Sequence, residues 1–149
     1  MPIVQAIGSY SIGRDCNIVL MHPLAPNGRV DIPNVTGFSA KQVTASVKSD
    51  RLDGQQLAAE LPKGWTGEFH FDRGNVAVDA LFAAIEAVWY FNGSVPVATV
   101  YQYIAEANGS VSTFEFTRAA LKYTDAGAWT GDQIVKQQIS FEAAARNLK

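Results

Sequence analysis

The chain is poor in the residues that most chemistry needs. Its single cysteine, Cys16, cannot form an intramolecular disulfide. Beside Ile18, Val19 and Leu20 it reads as a small apolar core residue. Histidine occurs twice, at 22 and 70, with no second His or Cys at metal-ligand spacing, so no metal site is expected. A Cys16–His22 nucleophile pair lacks any surrounding signature, and His70 reads as a surface or interface side chain. There is also no basic cluster: 12 Lys and Arg stand against 14 Asp and Glu, a net charge of -2. Phosphate-backbone recognition needs clustered cations, so sequence-specific nucleic-acid binding is not expected. No stretch approaches the roughly 20 apolar residues of a membrane span. The N-terminus has no basic segment followed by an apolar run, which leads us to expect no signal peptide and folding in the cytoplasm.

Known catalytic patterns are missing as well. Residues 50–54 lack the alternating acids and terminal Glu of a calcium loop, and residues 8–14 lack the Gly-Lys-Ser/Thr of a phosphate-binding loop. Carboxylates pair only as alternating residues on strand faces. The expectation is a protein that is not an enzyme and takes no cofactor.

What is present is β-structure. The segment 96–123 reads as two long strands joined at Asn108-Gly109, a pair suited to a type I′ turn. Each arm spans about a dozen residues against a usual strand of roughly five or six, so both need support from something larger than a small monomer. Beyond Ala119 and Ala120 the apolar residues Leu121 and Tyr123 change parity relative to Phe114 and Phe116. A bulge or a change of layer is expected there.

Other strands follow from alternation. Residues 16–21 form a short apolar run, with a turn at Asn27-Gly28 and a short return at 29–32. Residues 38–48 place Val43, Ala45 and Val47 opposite Thr44, Ser46 and Lys48. Residues 65–73 place Trp65, Phe69 and Phe71 opposite Glu68, His70 and Asp72. In residues 133–143, Val135, Gln137, Ile139, Phe141 and Ala143 face away from Lys136, Gln138, Ser140 and Glu142. The period lengthens to a helical one over residues 76–90, behind an N-capping Asn75. There Val78, Leu81, Phe82, Ile85, Val88 and Trp89 form an apolar stripe, and alanines smooth a second face. Residues 1–15 read as an N-terminal arm. Residues 49–64 read as a long polar loop, and loops of that length usually serve a partner. The fold expected is mainly β with one helix: a single domain over residues 1–149, built as a two-layer antiparallel sandwich or partial barrel.

The run from Gly64 to Asn75 (Gly-Trp-Thr-Gly-Glu-Phe-His-Phe-Asp-Arg-Gly-Asn), leading straight into the helix, resembles the strand-to-helix core of bacteriophage tail-tube proteins. The long segment before it and the long hairpin after the helix match the same plan, over residues 16–145. This resemblance implies a hexameric ring in which strands of neighbouring subunits close a larger barrel, and rings that stack into a hollow tube. Residues 49–64 would then be a ring-stacking loop, with Asp50, Arg51, Leu52, Asp53, Gln55, Gln56, Leu57 and Leu61 as contacts. Candidates for the channel wall would be Thr44, Ser46, Lys48, Glu68, His70, Asp72, Gln102, Glu106 and Glu115. Implied partners are further copies of the chain, a tape-measure protein, baseplate and tail-terminator proteins, and a sheath protein if the tail contracts. Double-stranded DNA would pass without specific binding, in a virion tail assembled in the host cytoplasm. A conduit should not hold its cargo, so Arg73, Arg118 and Lys122 are expected to be paired or turned from the channel.

Two alternatives stay open at this level. A type VI secretion tube protein would share the ring plan. A small β-barrel ligand-binding protein would line a pocket with Trp65, Phe69, Phe71, Tyr101, Tyr103, Phe114 and Phe116, although their alternation with polar residues reads more simply as core.

Overall fold

A computed structural model describes residues 16–32 and 34–149. The expected N-terminal arm, residues 1–15, lies outside them. Eight strands and one helix follow in the order β1 (Cys16–Met21), β2 (Arg29–Asp31), β3 (Val35–Asp50), β4 (Gln56–Asp72), α1 (Ala77–Asn92), β5 (Ala98–Ala105), β6 (Val111–Asp125), β7 (Lys136–Ala143) and β8 (Ala145–Leu148). They form one open antiparallel sheet ordered β2-β1-β5-β6-β7-β4-β3, with β8 paired to β6.

The sheet folds over on itself because β6 belongs to two layers. Its first part pairs with β5 and β8, and residues 120–125 pair with β7. The change falls at Arg118, which has a φ of 49°. One residue is inserted there against β5, between the pairs Val100↔Phe116 and Ala98↔Ala119. Phe116 and Ala119 are consequently both buried although three positions apart. The parity change expected at this point is therefore a β-bulge that also changes layer.

Between the layers lies a core of aromatic rings. Phe116 meets Phe141 edge-on at 5.2 Å, Phe38 of β3 lies 6.1 Å from Phe116, and Trp65 packs edge-on to Phe116 at 6.1 Å. Phe69, Phe116 and Phe141 are fully enclosed. The aromatics that a ligand-binding barrel would have arranged around a pocket thus pack on one another. Tyr101 and Tyr103 stack separately at 6.3 Å.

Three local expectations need correction. Residues 49–64 are not a loop: β3 and β4 continue as one ribbon to a tight turn at residues 51–55, where Gly54 N–H donates to the Arg51 carbonyl. The β5–β6 connection is not type I′. Gly109 N–H donates to the Glu106 carbonyl and Gly109 alone takes a positive φ of 90°, so a type I turn followed by a glycine bulge makes the corner. The helix begins at Ala77, with Val76 at its N-cap. Asn75 Oδ1 instead accepts from Ala77 N–H one step earlier. Its C-terminus is closed by Gly93, in the left-handed region and donating to the Trp89 carbonyl.

Candidate assembly interface

β4, β7 and the second half of β6 send alternate side chains to two faces. Inward go Phe69, Phe71, Gln137, Ile139, Phe141 and, beyond the bulge, Leu121 and Tyr123, which pack on the core. On this side α1 lies against the sheet: Val78 and Leu81 are buried, and Phe82 stacks on Tyr123 at 4.6 Å. Asp79 fastens the contact by accepting from Tyr123 Oη at 2.6 Å, Arg73 Nε at 3.0 Å and Gln137 Nε2 at 3.4 Å. Burial pushes the Asp79 carboxyl up, but hydrogen bonds from Tyr123 and Arg73, and the guanidinium charge, outweigh it and hold the group below its usual range. Tyr123 moves the opposite way, raised by burial and by its bond to the carboxylate.

The outward face of the same strands is polar. Ser39, Lys41, Thr66, Glu68, Lys122, Thr124, Ser140 and Glu142 line an open groove of about 600 Å³. Glu68 accepts from Gln138 Nε2 at 2.6 Å and lies 3.7 Å from His70. Asp72 lies 4.0 Å from Lys136. Helix and groove thus occupy opposite sides of one sheet.

The nine wall candidates do not share a surface. Glu68, His70 and Asp72 lie on the groove side of β4, beside Ser39 and Gly37. Thr44, Ser46 and Lys48 alternate in step with Phe38 and Ala40, which pack on the core, so they leave the ribbon on its other face. There Glu60 accepts from Thr44 at 2.8 Å and Ser46 at 2.6 Å, which lowers its pKa. Gln102 shares the inward face of the buried Val100 and donates to Cys16 Sγ at 3.4 Å. Glu106 sits in the β5–β6 turn. Glu115 is on the outer surface of the other layer, accepting from Tyr101 Oη at 2.7 Å with Lys149 Nζ at 3.3 Å.

The basic residues divide too. Arg73 is paired with Asp79 and turned to the helix side, as expected. Lys122 lines the groove with no ion pair among the described residues, as does Lys41. Arg118 is exposed at the bulge. The groove residues of β7 were legible in the sequence as the polar parity of residues 136–142, but they were not linked to Glu68.

The stacking candidates fall at the far end of the β3–β4 ribbon. Trp65↔Ala143 is the last pair with β7, and beyond it no strand among the described residues pairs with either edge of the ribbon. Asp50, Arg51, Leu52, Asp53, Gln55, Gln56, Leu57 and Leu61 are all exposed on this projecting arm. Among the described residues two strand edges are unpaired within one layer: the side of β3 away from β4, and the side of residues 120–125 away from β7. An open sheet edge offers unpaired N–H and C=O groups on which another strand can pair.

No protein-family model matches the sequence, and no curated protein is significantly similar to it. Solved structures, however, share its fold. The chain is similar to a chain of the sheath–tube complex of an extracellular contractile injection system (PVC) in the extended state. That match covers 100% of this chain and 98% of the other at a TM-score of 0.66 and 10% identity. It is also similar to the SPP1 tail tube, over 93% of this chain and 78% of that one, with a TM-score of 0.59 and 13% identity. A chain of the native gene transfer agent virion matches over 94% and 98% at 0.53 and 13%. The fold is that of tail-tube and injection-tube proteins.

Proposed function

We propose that the chain is the structural subunit of a hollow tail tube, in a bacteriophage or a phage-like particle, formed by stacking hexameric rings. The observation that carries this reading is the pair of open edges in the β3–β4–β7–β6 layer. An edge offered at each end of one layer makes a head-to-tail contact, and a head-to-tail contact repeated around an axis closes a ring. Closure would pair both edges and join six copies of the layer into an inner barrel.

The groove face is then the channel wall and α1 lies outside it. Along that wall Lys41, Lys122 and Lys136 are offset by Glu68, Asp72 and Glu142, with hydroxyls between them. A wall without net charge neither traps nor repels a phosphate backbone, which suits passage of DNA without specific binding. The role is mechanical rather than catalytic. Partners on this reading are the tape-measure, baseplate and terminator proteins, with a sheath if the tail contracts, and the site of action is the virion tail after assembly in the host cytoplasm.

Negative-stain electron microscopy of the purified protein tests the reading, with light scattering for size. The expected result is six-fold rings or tubes with a stain-filled centre. A protein that stays a monomer or dimer at every concentration refutes it.

A further inference from the structure

His22 follows Ile18 and Leu20 at the spacing of inward side chains and is 2% exposed. Its ring is held in one proton state. Nδ1 accepts from Leu24 N–H at 3.0 Å, so the ring proton sits on Nε2. Nε2 is itself enclosed and has no partner among the described residues. A second proton would have to enter at Nδ1, against the Leu24 donor, and would leave a buried cation with neither N–H bonded. Burial lowers the imidazole pKa from its ordinary value.

No neighbouring charge offsets this cost. On β2, Arg29 and Asp31 pair with each other on the exposed side, and only Val30 is buried. β5 carries no acid, lysine, arginine or histidine, and its Tyr101 and Tyr103 alternate away from the buried Val100. On β6, Arg118 is exposed. On α1, Asp79 is bound by Tyr123 and Arg73, and Glu86 is exposed.

The same residue holds the turn between β1 and β2. His22 N–H donates to the Gly28 carbonyl at 3.1 Å, its carbonyl accepts from Ala25 N–H at 3.1 Å, and Gly28 N–H donates to the Ala25 carbonyl at 2.9 Å. Among the described residues β2 pairs with β1 alone. We propose that His22 is an acid-sensitive latch: on taking a second proton its ring leaves the core, the turn at residues 22–28 opens, and β2 is released from the edge of the sheet. That edge belongs to the layer away from the groove, so the β3–β4–β7 ladder stays paired. The latch does not depend on the tube reading. Its sign follows from linkage: the closed turn binds one proton fewer than the open one. Closure is therefore firm above the ordinary imidazole value of 6.5 and weakens as pH falls below it.

Amide hydrogen exchange of the unmodified protein, followed by NMR and corrected for the intrinsic pH dependence of exchange, tests this between pH 7.5 and 5.5. Protection at Leu24, Ala25 and Gly28 should fall about tenfold over that range, as the freed imidazole takes up its proton. At both pH values these amides should be less protected than Phe69 and Ile139, because the turn opens without the rest of the sheet. In His22→Asn, whose Oδ1 can still accept from the N–H two residues on, the fall should vanish. In His70→Asn it should persist. Constant protection at the turn of the unmodified protein, or the same fall in His22→Asn, would overturn the latch. Equal protection at the turn and at Phe69 would overturn it too, since opening would then be global. If His22→Asn does not fold, the titration of the His22 ring in the unmodified protein decides. A ring that takes its proton near pH 6.5 while the turn stays protected refutes the proposal.

Discussion

Gly67→Ala is the sharpest single test of the packing described. Gly67 stands opposite Phe141 in the β4–β7 ladder, and the phenylalanine ring lies across it. A Cβ added at Gly67 would meet Phe141 Cζ at 2.5 Å and Cε1 at 2.8 Å, and the Ser39 carbonyl oxygen at 2.8 Å. The ring cannot swing aside, because Phe116, Phe38 and Phe69 enclose it at 5.2, 6.1 and 6.4 Å. The Ser39 oxygen is main chain in the adjacent strand and gives little. Overpacking a filled core costs about 1–3 kcal/mol. Replacing glycine within a strand returns about 0.5–1 kcal/mol of backbone entropy. The net expectation is a loss of about 1–2 kcal/mol. Phe141→Leu removes the atoms that collide, so the double variant should be about 1 kcal/mol more stable than the sum of the single losses. Urea unfolding followed by tryptophan fluorescence, at subunit concentrations below assembly, measures all three. A Gly67→Ala loss within about 0.5 kcal/mol of zero, or strict additivity with Phe141→Leu, would refute the reasoning.

Two further outcomes follow from the helix fastening and the bulge. Asp79→Asn should destabilise the subunit by about 1 kcal/mol at neutral pH, by weakening charge-assisted bonds in a partly exposed site. The folded carboxyl titrates below its unfolded value of about 3.9, so its contribution is present above that pH and is lost as pH falls through the lower folded value. The gap between variant and parent should accordingly stay level from pH 7 to about pH 5 and narrow below about pH 4 in urea titrations, and a gap that is constant down to about pH 2 would contradict this. At Arg118, where φ is 49°, Gly should be tolerated or stabilise by about 0.5 kcal/mol, whereas β-branched Val should cost about 1 kcal/mol or more. Equal thermal midpoints for Arg118→Gly and Arg118→Val would count against the strained bulge.

Strands with one buried face were legible from the sequence. Alternation of Phe69 and Phe71 with Glu68 and His70, and of Ile139 and Phe141 with Ser140 and Glu142, is the pattern of a sheet packed on one side. The bulge was legible too, because a parity break between Phe116 and Leu121 has few other causes. The arm was not. Residues 56–63 are exposed, so no core imposes a period on them, and Pro62, Lys63 and Gly64 look like a loop where they in fact form a ribbon with a register shift at Val43/Thr44. The four residues of β8 were too few to show a period. The wall candidates fall on different surfaces because parity gives a face but not a layer: Glu68 and Glu115 both point outward, on opposite sides of a folded sheet. Helical arithmetic put Trp89 in the core stripe, yet its side chain is half exposed.

The course of β6 also sets how load passes through the subunit. Its first half holds β5 and β8, its second half holds β7, and a single residue at the bulge joins them. The two layers are thus tied by covalent main chain as well as by packed rings. Pulling one layer from the other along the strand direction would require a peptide backbone to stretch or a whole ladder to shear. Twisting one against the other must also slide the packed rings past one another and bend the main chain at Ala144, where β7 passes into β8. A subunit tied in this way should resist tension and torsion as one body.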